Sequence, residues 1–179
     1  MRFWTNANQI ICNLGRDDRG MEIESVCVLG AGIMGSGIAQ IVAQHGYMVN
    51  LVDISEEILT NAKVGIKKNL ERFFVAKNKI TMEEANQILE RISLYINRDE
   101  AIKDVQMVIE AVFENMDLKQ KIFSDLDAKC DKGVILASNT SSLSISDIAM
   151  SSKHRERIVG IHFFNPAPVM KLIELIKGK

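Results

Sequence analysis

The sequence predicts an α/β fold built on a doubly wound, mainly parallel sheet. Short apolar runs alternate with segments of helical periodicity, and a glycine-rich turn follows the first of these runs. At 179 residues, with 47% apolar and 25% charged residues, the chain has the size and composition of one globular domain.

The bulk composition excludes several classes of function. A formal net charge of −1 argues against a partner held by many phosphate contacts, so we expect no nucleic acid. No apolar run approaches the roughly 20 residues that span a bilayer, so we expect no membrane association. Cys12, Cys27 and Cys130 lack CxxC or metal-ligand spacing, which predicts no metal site and a reducing, cytoplasmic compartment.

The first residues are poorly patterned as either helix or strand. We expect residues 1–20 to be a disordered N-terminal extension or the product of a misassigned upstream start. Met21 opens the segment "MEIESVCVLG", so the predicted domain covers residues 21–179.

The domain is predicted to begin with a β-turn-α-β unit. Residues 25–29 ("SVCVL") form a buried strand in which Cys27 is a small core residue. A helix follows the glycine-rich turn and ends at Gly46, and the strand "MVNLVD" ends at Asp53.

Two helices then interrupt the regular alternation of strands and helices. Ser55 has the character of an N-cap, and helical spacing continues to Phe73. Thr81 and Glu84 form a capping box before a second helix that ends near Ile92. The sequence therefore predicts a helical-pair insertion at about residues 55–92.

The remaining segments return to alternation. The predicted strands are "QMVIEAV", "VILASN", "RIVGIHFF" and "KLIELI", and the predicted helices are "NMDLKQKIFSDLDAKC" and "SLSISDIAM". Strands alternating with helices favour parallel pairing through right-handed crossovers.

The glycines at positions 30, 32 and 35 fit the pattern GxGxxG between a predicted strand and a helix. In a Rossmann-type fold, Gly30 permits the tight turn, Gly32 lets a pyrophosphate reach the backbone, and Gly35 lets the helix pack on the strand. A tight turn without a ligand is the alternative.

Asp53 ends the second strand of this unit, eighteen residues after Gly35. A carboxylate at this place accepts hydrogen bonds from the adenosine ribose hydroxyls and repels a 2′-phosphate. The sequence therefore predicts NAD as the cofactor in preference to NADP.

The last two predicted strands carry a candidate base and its partner. His162 lies in the first and Glu174 in the second, so the two side chains can hydrogen-bond if the strands are neighbours. An imidazole oriented by a carboxylate can remove a hydroxyl proton near neutral pH, as the oxidation of an alcohol by NAD requires. A structural role for His162 is the alternative.

Five motifs, in this order, resemble the NAD-binding domain of the L-3-hydroxyacyl-CoA dehydrogenases, which include the 3-hydroxybutyryl-CoA dehydrogenases. The resemblance covers residues 22–179. The motifs are "GAGIMGSGIAQ", "EAVFENMDLKQKIF", "SNTSSL", "HFFNP" and "MKLIELI".

The resemblance implies oxidation of (3S)-3-hydroxyacyl-CoA to 3-oxoacyl-CoA by NAD, or the reverse, in fatty-acid β-oxidation or butanoate-type metabolism. It implies that His162 is the catalytic base, Glu174 its carboxylate partner and Ser141 a residue beside both substrate and nicotinamide. The residues implied to bind NAD are Gly30, Ala31, Gly32, Ile33, Met34, Gly35, Asp53, Glu114, Lys119, Ser141 and Asn165.

In the family the helical insertion also holds coenzyme A. This chain departs from the family pattern there, because the serine and lysine contacts correspond to Asn69 and Ala76, with Lys77 beside the latter. Asn69 and Lys77 are thus the candidate substrate-binding residues of the insertion. A solvated helix face is the alternative interpretation of its many lysines.

Family members continue with an all-helical domain that closes the active site and forms most of the dimer interface. The resemblance therefore implies an acyl-CoA substrate and either a homodimer or a complementing helical domain as partner. One alternative function is a catalytically idle NAD-binding module. A 3-hydroxyisobutyrate or 6-phosphogluconate type dehydrogenase is another, although it leaves "HFFNP" unexplained.

Overall fold

The computed structural model describes residues 2–6 and 23–178, and its strands form one sheet. The strands are β1 (Arg2–Asn6), β2 (Ser25–Leu29), β3 (Met48–Val52), β4 (Ile92–Tyr95), β5 (Met107–Glu110), β6 (Ile135–Ser138), β7 (Ile158–Phe163) and β8 (Leu172–Lys177). The helices are α1 (Ile33–Gln44), α2 (Glu56–Leu70), α3 (Met82–Glu90), α4 (Arg98–Ala101), α5 (Met116–Lys129) and α6 (Ile145–Ala149). A π-helical turn (Glu71–Val75) extends α2, and a 3-10 turn (Arg155–Arg157) precedes β7.

The strand order across the sheet is β1-β8-β7-β6-β5-β2-β3-β4. The six strands from β2 to β7 pair in parallel, whereas β8 is antiparallel to both β7 and β1. The chain moves from β2 outward to β4 and then returns to β5 on the other side of β2. This reversal creates a switch point between β2 and β5, where ligands of open α/β sheets bind. The predicted doubly wound, mainly parallel fold is confirmed.

The predicted helix starts are confirmed in atomic detail. The Ser55 hydroxyl accepts a hydrogen bond from the Ile58 N–H. Thr81 and Glu84 form the reciprocal capping box, in which each side chain accepts from the other residue's backbone N–H. These caps satisfy donors that a helix start would otherwise leave without a partner. The helical-pair insertion therefore exists as predicted, as α2 and α3.

The end of the insertion differs from the prediction. Helix α3 ends at Glu90, and Ile92, which was assigned to the helix, opens β4 instead. Strand β4 pairs in parallel with β3, with Ile92 opposite Val49. The four-residue strand was not predicted because so short a segment shows no periodicity in its sequence. Its strand conformation depends on pairing with the edge of β3.

The N-terminus also differs in part from the expectation. Arg2–Asn6 form β1, antiparallel to β8, whereas residues 1–20 were expected to be disordered. The free edge of β8 explains the pairing, because an edge strand presents unpaired N–H and C=O groups. Residues 7–22, including the predicted domain start at Met21, lie outside the described residues.

Apolar side chains form one core on each face of the sheet. On one face, α1, α2 and α3 contribute Ile38, Ile66 and Ile88. On the other, α5 and α6 contribute Phe123 and Ile148. Cys27 is fully buried, as predicted, and burial raises the pKa of its thiol well above its usual range. Within residues 2–6 and 23–178, the helices fall short of the length and apolarity that a membrane span requires.

A buried cluster of charged side chains lies at the amino end of the sheet. The Arg157 guanidinium donates to the Asp127 carboxylate at 2.9 and 3.1 Å and to the Asp127 carbonyl at 2.8 Å. The same carboxylate accepts the Lys153 N–H at 2.8 Å and lies 3.2 Å from His154 Nδ1. Burial alone would raise the pKa of Asp127, but Arg157 and these N–H donors outweigh it and lower the pKa.

Candidate active site

The glycine-rich turn packs against the end of β5 at the switch point. Gly30 has φ of +95°, and a Cβ there would lie 2.7 Å from the Ala111 carbonyl oxygen. A Cβ on Gly35 would lie 1.7 Å from the Gly30 carbonyl oxygen. Both positions therefore require glycine for reasons internal to the protein, as the motif predicts.

Gly32 differs from its two neighbours in the motif. A Cβ at this position would meet no heavy atom within 4 Å, and the following Ile33 is 80% exposed. Helix α1 starts here, and the first N–H groups of an α-helix lack intrahelical acceptors. The turn is therefore an open cradle with donors and a positive dipole end, which fits the pyrophosphate of a dinucleotide. Met34 packs toward the core.

Asp53 is fixed beside this cradle. Its Oδ2 accepts the Ala31 N–H and its Oδ1 accepts the Ile54 N–H, both at 2.8 Å. Each oxygen retains a lone pair that can accept a ribose hydroxyl. Ala31, which the resemblance implies to bind NAD, is buried, and its N–H is engaged with Asp53.

His162 and Glu174 are direct partners in the antiparallel pair of β7 and β8. His162 Nδ1 lies 3.4 Å from Glu174 Oε2, and the two side chains are 18% and 4% exposed. The predicted adjacency of the two strands is confirmed. A nearly buried carboxylate that orients a partly exposed imidazole is the arrangement that a general base requires.

The connection from β7 to β8 packs against α1, the helix that follows the glycine-rich turn. A Cβ on Gly37 of α1 would lie 3.2 Å from both Ala167 and Pro168, so this connection packs tightly on α1. Asn165, in the same connection, is exposed at the surface. The candidate base and the candidate phosphate cradle therefore share one helix as their support.

Glu114 anchors the loop that follows β6. Its Oε1 accepts the Thr140 hydroxyl, the Ser141 N–H at 3.2 Å and the Ser142 N–H at 3.4 Å. Partial burial raises the pKa of Glu114, but the Thr140 hydrogen bond and the Lys119 charge outweigh it and lower the pKa. Glu114 is therefore a carboxylate at neutral pH, and it holds the loop on which Ser141 is exposed.

Lys119, which the resemblance implies to bind NAD, is buried in the structure. Its side chain is 0% exposed, and its ammonium donates to both Glu110 oxygens at 2.7 and 2.8 Å. The same nitrogen lies 3.2 Å from Glu114 Oε2. In this conformation the Lys119 ammonium lies between the Glu110 and Glu114 carboxylates.

Sequence reasoning missed Glu110 and Asn139. Glu110 ends β5 and is fully buried, and its position in the apolar run "QMVIEAV" was the available signal. Asn139 follows β6, and its Oδ1 accepts the Phe163 N–H at 2.8 Å, beside His162. A polar residue between a strand and the hydroxyl-rich "TSS" was the signal in the second case.

The substrate-binding candidates of the insertion are exposed. Asn69 lies near the end of α2, and Lys77 Nζ lies 5.6 Å from the centre of the Phe73 ring. Arg72 lies over the same ring at 5.1 Å, so the π-helical turn presents a cation-rich aromatic surface. Lys63 is engaged elsewhere, since it donates to the Ile92 carbonyl.

Across residues 2–6 and 23–178, no three or more His, Cys, Asp or Glu side chains form a group that could hold a metal ion.

Comparison with known proteins assigns the fold and the glycine-rich turn to one family. Residues 25–179 match the family model described as "3-hydroxyacyl-CoA dehydrogenase, NAD binding domain". The chain is 44% identical to a probable 3-hydroxybutyryl-CoA dehydrogenase of Bacillus subtilis, over 88% of this chain and 54% of the relative. It is also 44% identical to a mitochondrial hydroxyacyl-coenzyme A dehydrogenase of Rattus norvegicus, over 87% of this chain and 51% of the relative.

A solved structure gives the same result. The crystal structure of (S)-3-hydroxybutyryl-CoA dehydrogenase from Ralstonia eutropha superposes with a TM-score of 0.84 at 42% identity, covering 88% of this chain and 55% of that one. The chain thus spans about half the length of these relatives.

Proposed function

We propose, for a chain that belongs to the family of 3-hydroxyacyl-CoA dehydrogenase NAD-binding domains, that it forms the cofactor-binding half of such a dehydrogenase. The reaction is oxidation of (3S)-3-hydroxyacyl-CoA to 3-oxoacyl-CoA, or the reverse. The pairing of His162 with Glu174 carries this proposal, because a module that only binds NAD has no use for an oriented base.

The residues that would hold NAD fit it. The open cradle at Gly32 and the N-terminus of α1 suit the pyrophosphate, and Asp53 suits the adenosine ribose. Glu114 and Asn165 are exposed near the carboxyl ends of β5 and β7, where they can line the nicotinamide half. NAD, when bound, supplies the hydride acceptor.

His162 acts on the substrate hydroxyl. Its Nδ1 faces Glu174, which leaves Nε2 as the nitrogen that takes the proton while the carbon–hydrogen bond breaks. Glu174 stabilises the imidazolium that results and fixes the ring orientation. Ser141 is exposed on the loop held by Glu114, and its hydroxyl can hydrogen-bond the reacting oxygen.

The insertion supplies the surface for coenzyme A. Lys77 and Arg72 over the Phe73 ring place positive charge beside an aromatic face, a combination that suits a phosphorylated nucleotide. Asn69 on α2 is the second candidate contact. The substrate class, an acyl-CoA thioester, is proposed from the family to which the chain belongs, and this surface suits its phosphorylated nucleotide.

The proposed partner is a second copy of the chain, in a homodimer, or a complementing helical domain that closes the site. Enclosure and orientation of the substrate account for a large share of catalysis, so the described domain alone should bind cofactor and turn over slowly. Free, buried Cys27 and Cys130 are consistent with a reducing, cytoplasmic compartment.

An absorbance assay at the NADH band, with acetoacetyl-CoA as substrate, tests the proposal. The chain is measured alone and mixed with the separately expressed helical domain of a full-length relative. His162→Gln serves as the inactivating variant and His45→Gln as its control, since His45 Nδ1 lies 2.7 Å from the Ile41 carbonyl at the far end of α1.

We expect turnover in the mixture that His162→Gln abolishes and His45→Gln preserves. NADH binding without turnover in either preparation would contradict the proposal and favour the idle NAD-binding module. Equal turnover by wild type and His162→Gln would remove the imidazole from the mechanism.

A further inference from the structure

A buried chain of charges lies beneath the two loops at the switch point. Glu110 ends β5, and Lys119 lies one turn into α5 with its ammonium on the Glu110 carboxylate. Both side chains are 0% exposed. Removing two charges from water is costly, so this pair needs compensation from its surroundings.

Glu110 is saturated with donors. Besides Lys119, its oxygens accept the Ser138 hydroxyl and the Val112 N–H, each at 2.7 Å. The Glu110 carbonyl also accepts the Asn139 N–H at 2.7 Å. One residue therefore joins α5, the end of β6 and the turn that follows β5.

The chain of contacts then runs outward. Lys119 Nζ lies 3.2 Å from Glu114 Oε2, and Glu114 Oε1 holds the backbone of Ser141 and Ser142. One cation thus lies between two carboxylates, one fully buried and the other 36% exposed. The position of the exposed carboxylate depends on how strongly the buried one holds the cation.

We infer that Glu110 is a positioning residue, which acts through Lys119 and Glu114 on the loop that carries Ser141. The inference rests on the proposed function, since it gives that loop a place beside the nicotinamide and the substrate. Lys119 is correspondingly a part of this support.

A purely stabilising role does not explain the arrangement. Apolar residues of similar volume often match or exceed a buried ion pair in stability, so stability alone does not call for three linked charges. With a neutral side chain at position 110, Glu114 would be the one carboxylate left beside the Lys119 ammonium. That carboxylate would be drawn inward, and its hydrogen bonds to Ser141 and Ser142 would weaken.

Glu110→Gln, which keeps the shape and removes the charge, tests the inference. Asp127→Asn is the matched control, because Asp127 is also a buried carboxylate on a cation, at the amino end of the sheet. The first readout is hydrogen exchange of the Ser141, Ser142 and Leu143 amides in the ligand-free chain; the Leu143 N–H donates to the Thr140 hydroxyl, which itself donates to Glu114. The second readout is NADH affinity by titration calorimetry. Both are measured where circular dichroism shows each variant folded.

For Glu110→Gln we expect amide exchange at these three positions to be faster by about tenfold or more and NADH affinity to fall by a similar factor, as for the loss of charged hydrogen bonds. Asp127→Asn should change neither. Unchanged exchange in Glu110→Gln, or equal acceleration in both variants, would overturn the inference.

Two further arms separate the possible failures. If Glu110→Gln does not fold, Ser138→Ala removes one donor from Glu110 and should accelerate the same amides several-fold, and unaltered exchange would overturn the inference. If the wild-type chain does not bind NADH, the proposed function fails, whereas the exchange comparison still decides whether Glu110 positions the loop.

Discussion

The buried charged side chains at the two ends of the sheet are compensated by different kinds of partner. At the amino end, Arg157 and Asp127 satisfy each other and nearby backbone groups within one compact cluster. At the carboxyl end, Glu110 and Lys119 are joined to Glu114, whose carboxylate reaches the surface and holds a loop. The contacts of the first cluster stay at the amino end of the sheet, whereas those of the second extend to the candidate active site.

The difference separates stability from function in this fold. Loss of the Arg157–Asp127 cluster should lower the free energy of unfolding, because its contacts join elements at the end of the sheet opposite the candidate active site. The cluster of Glu110, Lys119 and Glu114 holds an exposed loop, so its loss should affect binding as well as stability. Substitutions at the two ends should therefore affect different measurements.

The largest effect is expected from His162 at the carboxyl end of the sheet, with His154 at the amino end as its control. His162→Gln should lower kcat by roughly 10²–10⁴-fold, the contribution typical of a general base, with little change in NADH affinity. His154→Gln, which loses its contact with Asp127, should leave kcat unchanged. Steady-state kinetics in the complemented assay checks both variants. Comparable loss of kcat in the two would break the proposed division between the ends.

Asp127→Asn should produce the largest loss of stability. The substitution leaves the Arg157 guanidinium buried without its carboxylate, and breaking a buried ion pair costs about 3–5 kcal/mol. Urea unfolding measures the change in the free energy of unfolding. The folded variant should bind NADH as wild type does, and weaker binding would connect the amino end to the site.

The glycines of the turn provide a smaller, paired test. Gly35→Ala forces a Cβ against the Gly30 carbonyl, and overpacking of this kind costs about 1–3 kcal/mol or more. Gly32→Ala meets no protein atom, so its melting temperature should match wild type while NADH affinity falls about tenfold or more, because the Cβ occupies the cradle. Undiminished NADH affinity in Gly32→Ala would show that no phosphate approaches there.

The smallest expected effect is on the pH dependence of the free energy of unfolding. Because the pKa of Asp127 is lower in the folded protein than its usual value, the carboxylate contributes stability above the unfolded pKa of about 3.9. That contribution is lost as pH falls toward the folded pKa. Unfolding free energies measured downward from about pH 5 should therefore decline less steeply in Asp127→Asn than in wild type. Parallel curves would mean that Asp127 does not carry this acid dependence.

Local chemistry made much of the fold predictable from the sequence. Caps at Ser55 and Thr81, and the distinct requirements of Gly30 and Gly35, depend on residues near them in the chain. The pairing of His162 with Glu174 was predictable for the same reason, since a short connection joins two neighbouring strands.

The features that the sequence did not predict depend on contacts between residues that are distant in the chain. Strand β4 exists because β3 offers it an edge, and β1 exists because β8 does. Glu110 gave no sign of its partners, because Lys119 and Ser138 meet it only once β5, α5 and β6 are packed. The resemblance implies that Lys119 binds NAD, and only the packed structure shows that its side chain is buried against Glu110.

A crystal structure of the chain with NADH tests the central claim most directly. We expect the adenosine ribose hydroxyls on Asp53, the pyrophosphate against Gly32 and the nicotinamide ring beside His162 and Ser141. A cofactor bound with its adenine end away from Asp53, or with its ring remote from His162, would contradict the account.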